Sequence, residues 1–483
     1  MSRPLSPSTQ LFTRSQLDSI HAASLRVLEE VGVAIQDKPA MRLLADNGAR
    51  IDAKKNLALI PENLISESLE KVPRDIALHT RDHKEALPLG GENVYYSPGS
   101  TVPFILDLDG TLRKPLSSDL VNLVRLTDAL DNIELQSTAL VLSDVPDNIG
   151  DAYRLYLVLK NSPKPIMTGA FRTQGLRNMR KLLQIAAGGA EELARWPIAV
   201  FCACPTTPLT WGEFGVQTLV QCGDSGIPVE IVPAPQLGIS SPATLAGSLV
   251  QLNAEFLSGL VISQLARSGA PLIYGGVTAA FDMRYANARS AAIESMMLVS
   301  GYAQMGKHYG LPTSTYSGDT DAKTIDAQAG LEAGVGIVLA TLSGVNIVSG
   351  PGAMNFLYMQ SLEKLVIDDA ICGMARRLRR GILLNEDTIA LDAIKKAGPG
   401  GQFLNLKHTL DWALKEQFMP SQVVDRQTLD VWKAKGAKDS AANAADMVQR
   451  LLRDHKPEPL PPEAEERLDA AAKEMSRTGT LTA

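Results

Sequence analysis

The amino-acid sequence predicts an α/β protein, a (β/α)8 TIM barrel over residues 91–380, preceded by an N-terminal helical cap (1–90) and followed by a C-terminal helical extension (381–483). Three observations carry this reading. Short apolar runs recur eight times between residues 94 and 349, and each is followed by a stretch of helical periodicity. Strand and helix in alternation imply parallel pairing through crossovers. No Gly-x-Gly-x-x-Gly fingerprint follows the early strands, which weighs against an open doubly wound sheet, the other architecture with a similar string.

Taken in order, Thr13 and Gln16 form a capping box, and Leu17, Ile20, Leu25, Leu28 and Val31 follow at helical spacing until Gly32. Two more helices begin near Pro39 and Pro61, so the first 75 residues read as helices packed on a larger body. The strand-like runs are Val94 to Tyr96, Leu135 to Leu142, Pro165 to Phe171, Ile198 to Ala203, Pro228 to Pro233, Pro271 to Val277, Pro312 to Ser317 and Val345 to Ser349. Val102 to Leu108 adds a hairpin strand that turns at Asp109-Gly110. Helix starts are signalled by Ser117, by Thr173 and by Ser241-Pro242, the last ahead of a long helix reaching Ser268. Beyond Arg380 the pattern becomes helices and loops, with a sharp bend at Gly398-Pro-Gly-Gly and a stiff Pro-rich connector after Lys456.

Composition narrows the function. A net charge of −6 argues against a nucleic-acid surface, and the basic run Arg376 to Arg380 reads as the solvated end of a helix. The N-terminus lacks a signal-peptide run and no long stretch is free of polar side chains, so a cytoplasmic protein with no membrane partner is expected. Four cysteines do not make a disulfide framework. Cys202 and Cys204 raise the question of zinc, but are expected to be unliganded, one turned inward and one outward. No Walker loop, His-Glu-x-x-His or Gly-x-Ser-x-Gly occurs, and the six histidines are few, which argues against hydrolytic metal or triad chemistry.

Aromatic residues are scarce, and half of the 24 fall at or just beyond the strand ends, among them Tyr96, Phe171, Trp211, Tyr274, Phe281, Tyr316 and Phe356. Gathered at one mouth, such rings form a box for a quaternary ammonium, at ~0.5–2 kcal/mol per well-placed contact. Core packing is the competing explanation for each of them. Asp282, Arg284, Arg172 and the acids from Asp319 to Asp326 lie at the same ends; helix capping explains Asp282 and Asp326 equally well. Gly275-Gly276 and Gly350-Pro351-Gly352 offer backbone that a ligand can approach closely, or are simply turns.

Several segments together resemble the trimethylamine methyltransferase family of corrinoid-dependent enzymes. They are Ile20 to Val33, Pro165-Ile-Met-Thr-Gly-Ala-Phe171, Ser241-Pro-Ala-Thr-Leu-Ala-Gly247, Tyr274-Gly-Gly276 with Phe281-Asp-Met-Arg284, Thr320 to Gln328, Glu363 to Asp368, and Gly398-Pro-Gly-Gly-Gln-Phe-Leu404 with His408-Thr409. The resemblance runs from about Phe12 to Leu452. It implies a TIM barrel, a methylated amine as substrate, and a cobalamin carried by a partner corrinoid-binding protein, with no cofactor tightly bound to this chain. The trimethylamine enzymes that name the family carry a pyrrolysine at the barrel mouth; every residue here is ordinary, and Gly318 has no side chain. Members without pyrrolysine that resemble this chain act on quaternary amines such as glycine betaine, so that class is implied. Gln402 departs from the His that the family more often has there.

On this resemblance Asp282, Asp319 or Glu363 is expected to face the cation as the catalytic acid residues, Glu363 being open also to an ion pair with Lys364. Tyr96, Phe171, Trp211, Tyr274, Phe281, Tyr316 and Phe356 are expected to supply rings, with Gly276 and Gly318 as close-approach positions. Arg172, Arg284 or His408, beside Gln402, is expected to meet a substrate carboxylate. The alternatives are the same cage with a folate acceptor, a barrel that binds without catalysis, and a zinc enzyme. A homo-oligomer is expected, with no residue to assign to its interface.

Overall fold

The computed structural model describes residues 6–99 and 101–481. Each of the eight predicted runs supplies one barrel strand: β1 (Tyr95–Ser97), β2 (Gln136–Ser137), β3 (Ile166–Thr168), β4 (Ala199–Ala203), β5 (Val229–Ile231), β6 (Leu272–Tyr274), β7 (Ser314–Tyr316) and β8 (Ile347–Ser349). They pair in parallel from β2 to β6 and as β7–β8–β1. A bridge between Tyr274 and Thr313 joins β6 to β7. The Leu135 amide donates to the Tyr96 carbonyl at 3.1 Å, closing β2 onto β1. The ring is therefore shut, and no edge is left open to other chains.

The helices between strands are α1 (Ser117–Ala129), α2 (Gly150–Asn161), α3 (Thr173–Ala186), α4 (Glu213–Asp224), α5 (Leu245–Ala266), α6 (Ile293–His308), α7 (Ala327–Leu342) and α8 (Leu362–Arg379). α5 is apolar all round, as a helix must be when covered on every side. It lies between the barrel and the N-terminal helices Arg14–Arg26, Lys38–Asp46 and Glu62–Lys71. It is also long and apolar enough to cross a membrane, but here 72% of its apolar 18-residue stretch is buried in the protein.

The Thr13–Gln16 capping box forms as predicted. The segment before the barrel is nonetheless not purely helical. Val33–Ile35 pairs with Leu57–Leu59 and, in parallel, with Thr210–Trp211, which draws the N-terminal residues onto the loop after β4. A hairpin of Ile76–His79 and Ala86–Leu89 closes the bottom of the barrel. Its Ile76, Leu78 and Leu89 pack on Leu135, Met167, Val200, Ile273 and Ile347, the lowest inward-facing layer. Each such side chain removed from water contributes ~1.5–3 kcal/mol.

Because residues two apart on a strand share a face, the next inward layer is Ser97, Ser137, Gly169, Cys202, Glu230, Gly275, Ser314 and Ser349. These side chains are small, with one exception. The barrel is therefore packed below and leaves room above, at the end where the βα loops converge.

The basic run ends α8, but it is not simply solvated: Arg376 pairs with Glu134, and Arg377 with Glu416 at 3.1 Å. After it come Glu386–Ile389, Leu391–Ala397, Lys407–Glu416 and Leu429–Ala434, then Ser440–Asp454 against α1 and α8 and Pro462–Thr478 against α2 and α3.

Candidate active site

A cavity of about 430 Å³ opens at the mouth of the barrel, within the range usual for small-molecule sites. Its wall is Phe171, Phe214, Val232, Val277, Tyr316 and Leu357, with Gly169, Cys202 and Cys204 toward the base. Apolar and aromatic surface dominates this lining.

Directly beneath lies Glu230, fully buried. The Ser314 hydroxyl donates to one of its carboxylate oxygens and the Cys202 thiol donates to the other at 3.0 Å. The Tyr316 hydroxyl, 3.4 Å from Cys202 Sγ, donates to that sulfur, so the network runs from the floor up into the cavity wall. Burial pushes the Glu230 carboxyl above the usual carboxylate range, and the Ser314 and Cys202 hydrogen bonds only partly offset this. Gly275 makes space for it: a Cβ there would lie 2.8 Å from Glu230 Cγ and 2.9 Å from Ser314 Oγ. No sequence motif singles out Glu230. The available signal was a lone acid in the otherwise apolar run Pro228 to Pro233, which borders no exposed turn.

Cys202 and Cys204 correct an expectation: two positions apart, on β4 and just past its end, they turn to the same side and both line the cavity. Burial, with Glu230 nearby, raises the Cys202 thiol above its ordinary range, so it is not a ready thiolate, while Cys204 is exposed at the mouth. Among the described residues no three His, Cys, Asp or Glu side chains cluster as a metal site.

Of the predicted ring residues, Phe171 and Tyr316 reach the cavity. Tyr96 and Tyr274 occupy the outward positions of β1 and β6. Tyr96 hydrogen-bonds Thr341 at 2.8 Å, and Tyr274 hydrogen-bonds Asn253 at 2.9 Å among Phe256, Tyr302 and Tyr309. Trp211 is buried where its indole N–H donates to Ser258, so all three are core residues. Gly276 packs under the Tyr302 ring and accepts its hydroxyl at 2.7 Å. Phe281 lies in a hairpin, Ala279–Asp282 with Asn287–Arg289, beyond β6. Phe356 sits under the Lys323 ammonium, 4.3 Å from the ring centre. It is the middle of three consecutive left-handed residues, Asn355 to Leu357, strained backbone that holds Leu357 at the cavity.

Among the predicted charges, Asp282 ties its own hairpin together through Arg284 at 2.9 Å and through Arg289. The Arg284 hydrogen bond holds its carboxyl down to about 2. Arg172 is exposed and only 4.0 Å from Asp147. Glu363 accepts from Ser361 at 2.9 Å; the buried partner of Lys364 is Asp368, not Glu363. Gln402 and His408 belong to the C-terminal extension, where the His408 ring meets the Asp387 carbonyl at 2.9 Å and stacks on Trp412. The cation beside the cavity is instead Arg154 from α2. Buried against the Thr138 carbonyl and Asp151, it lies 5.1 Å from the centre of the Phe171 ring.

Asp319 does not cap α7; Asp326 does, accepting from the Gln328 and Ala329 amides. Asp319 is buried against Ser290, whose hydroxyl also reaches Asp321 at 3.0 Å. Gly318 before it is locked against the next loop, since a Cβ would lie 2.5 Å from Pro351 Cδ. Burial pushes the Asp319 carboxyl up to about 7, with Asp321 adding to the rise against the Ser290 hydrogen bond. A carboxyl raised on folding stabilises the fold fully below its unfolded value, near 4, and that contribution is lost as pH rises to about 7. Asp319→Asn is therefore expected to flatten the fall in stability between about pH 4 and 7, as followed by denaturant unfolding across that range. An unchanged slope would show that the group is not buried as described.

The likenesses to known proteins agree with the barrel fold. Residues 2–479 match the sequence model of the family described as trimethylamine methyltransferase (MTTB). A glycine betaine methyltransferase of Desulfitobacterium hafniense (strain Y51) is 32% identical over 468 residues, covering 96% of this chain and 97% of that protein. The trimethylamine methyltransferase MttB of Methanosarcina barkeri (strain Fusaro / DSM 804) is 32% identical over 456 residues, covering 93% and 92%. The crystal structure of the Methanosarcina barkeri monomethylamine methyltransferase (MtmB) superposes with a TM-score of 0.54 over 98% of this chain and 90% of that one, at 12% identity, and so supports the barrel fold. With a closed (β/α)8 ring, a cavity at its C-terminal mouth and a family match over nearly every residue, this chain belongs to the trimethylamine methyltransferase family.

Proposed function

We propose that this chain transfers a methyl group from a quaternary amine of the glycine betaine type to the corrinoid of a separate carrier protein docked over the mouth. The observation that carries the reading is the pairing of an aromatic, apolar cavity with one fully buried carboxylate, Glu230, beneath it. A quaternary ammonium has no proton to donate, so it is held by ring faces and a compensating charge rather than by hydrogen bonds. Phe171, Phe214 and Tyr316 supply the faces. A cation seated above Cys202 favours the ionised form of Glu230, against the burial that raises its carboxyl above the usual range.

Breaking the C–N bond leaves the electron pair on nitrogen and releases a neutral tertiary amine. No proton is needed, and the buried Cys202 thiol, raised above its ordinary range, is in keeping with that. What the protein contributes is alignment and exclusion of water. The rim suits a carrier that presents a broad, flat macrocycle: Phe171, Ile239, Met283 and Tyr285, from three βα loops, are all more than half exposed. Those residues would hold the corrinoid, which supplies the nucleophile. At Gly318 the backbone of the next loop already occupies the space where a side chain would begin, so no longer residue at that position reaches the mouth.

The test is a demethylation assay with reduced corrinoid carrier and a panel of glycine betaine, carnitine, choline and trimethylamine. Turnover of one or more quaternary amines, with trimethylamine inert, is expected. Turnover of trimethylamine alone, or of nothing in the panel, would overturn the proposal; turnover only with a folate acceptor would assign the alternative.

A further inference from the structure

Phe171 walls the cavity, yet it lies in the loop after β3 and is 60% exposed, too open for core packing to fix it. What holds it is a pair of charges on the first turns of α2. The Phe171 amide donates to Asp151 Oδ2 at 2.8 Å, and the other carboxylate oxygen accepts from Arg154 at 3.2 Å. The Arg154 fork also donates to the Thr138 carbonyl at 2.8 Å and to Thr101 Oγ1 at 3.3 Å, and Thr101 lines the cavity too. Its guanidinium lies 5.1 Å from the centre of the Phe171 ring. Both side chains are almost closed to solvent, Asp151 at 7% and Arg154 at 2%. The segments that follow β1, β2 and β3 are thus tied to one helix. α3 makes way for this: a Cβ on Gly175, in its first turn, would overlap Asp151 Oδ2. Glycine weakens a helix, so the close approach of the carboxylate gives it a reason to be there.

We infer that Asp151 and Arg154 are positioning residues for the cavity: together they fix the backbone and ring of Phe171, and Asp151 cancels a positive charge that would otherwise face the bound cation. The first argument is geometric. Charge-assisted bonds from a guanidinium fork set orientation as well as distance, and a misplacement of ~1 Å at a reacting centre costs about 100-fold in rate. A ring that decides where the ammonium sits needs support of this kind. The second argument is charge. At ~10 Å and an effective dielectric constant of ~20, an unbalanced Arg154 weakens the binding of a cation by about 10-fold. Among the described residues no other carboxylate forms an ion pair with Arg154. For stability alone a buried pair is a poor device, since well-packed apolar residues serve as well or better. Behind a cavity wall it supplies what apolar residues lack, a fixed acceptor for the Phe171 amide and a cation on its ring. The charge half of the inference rests on the quaternary-amine reading above; the ordering half does not.

The experiment compares Asp151→Asn, Asp151→Ala/Arg154→Met and Phe171→Ala, with the double change also placed on Phe171→Ala, each checked for folding by circular dichroism. Hydrogen exchange is followed at the Phe171 amide, and kcat and KM are measured for each quaternary amine that the natural protein demethylates. Asp151→Asn keeps an acceptor and drops the charge, so the Phe171 amide stays protected while KM rises by about 10-fold. The double change removes the acceptor and both charges, so exchange at Phe171 quickens by at least about 10-fold. In the same variant kcat falls by about 10-fold. On Phe171→Ala the double change lowers kcat/KM by less than about 2-fold further, because effects that pass through one group do not add. Unchanged exchange in the double variant, losses that add in full on Phe171→Ala, or an unmoved KM in Asp151→Asn would each overturn the inference. A natural protein inert toward every quaternary amine would sink the proposed reaction, and the charge half with it, while exchange at Phe171 would still decide whether the pair orders the ring. Should the double variant fail to fold, Gly175→Ala, which crowds Asp151 away from the Phe171 amide with every charge in place, is read by the same exchange measurement with the same outcomes.

Discussion

Glu230→Gln is expected to lower kcat/KM for the quaternary amine by about 100-fold without lowering the melting temperature. Removing one partner of a buried charge pair costs ~2–5 kcal/mol, and 100-fold corresponds to about 2.7 kcal/mol. Gln keeps the shape of the side chain and drops the charge that burial disfavours, so Ser314 keeps an acceptor and the fold loses little. A pH signature accompanies the effect. Because the Glu230 carboxyl lies above its ordinary range, kcat/KM should rise with pH as that carboxyl ionises, and the rise should vanish in Glu230→Gln. Calorimetry in buffers of different ionisation enthalpy should likewise detect proton release when the natural protein binds ligand, and none in the variant. If activity stays within a few-fold of the natural protein, Glu230 is only an acceptor for two neighbours and the site has been read wrongly.

Asp368→Ala is expected to be the most damaging single change to stability, at about 3–5 kcal/mol. Lys364 and Asp368 face each other on α8 at 2.5 Å, both with no exposed side-chain surface. Asp368 also accepts from the Gly352 amide at 2.7 Å, pinning the loop after β8 that carries Leu357 to the cavity. Alanine would leave the ammonium of Lys364 buried without its counter-charge and the Gly352 amide without its acceptor. The pair should matter less than either member alone. Lys364→Met/Asp368→Leu removes both charges and is expected to recover most of the loss, as read from urea midpoints of the three variants. A single variant as stable as the natural protein would mean that water reaches the pair.

Much of the architecture was legible in the chain. Seven of the eight barrel strands fall within the predicted apolar runs and the first overruns its own by one residue, at Ser97, while helices start near their predicted signals, at Ser117, at Thr173 and just after Ser241-Pro242. The candidate site was far less legible. Tyr96, Trp211 and Tyr274 lie at strand ends, as Phe171 and Tyr316 do, yet the first three pack outward and only the last two reach the cavity. Glu363 and Lys364 are neighbours in sequence, but a helix brings together residues four apart, which is why Asp368 holds the lysine. His408 and Gln402 were grouped with the mouth by motif, whereas they fold into the extension beyond α8.

The sequence by itself determined that strand and helix alternate eight times, because periodicity and turn chemistry are local properties. Only the tertiary structure decided which side chains meet. Strand parity is fixed by closure of the ring, and a shift of one residue sends a whole face from cavity to core. That closure turned Cys202, Cys204 and Tyr316 inward, opened space at Gly275, and left Glu230 as the one large acid among small neighbours under the mouth.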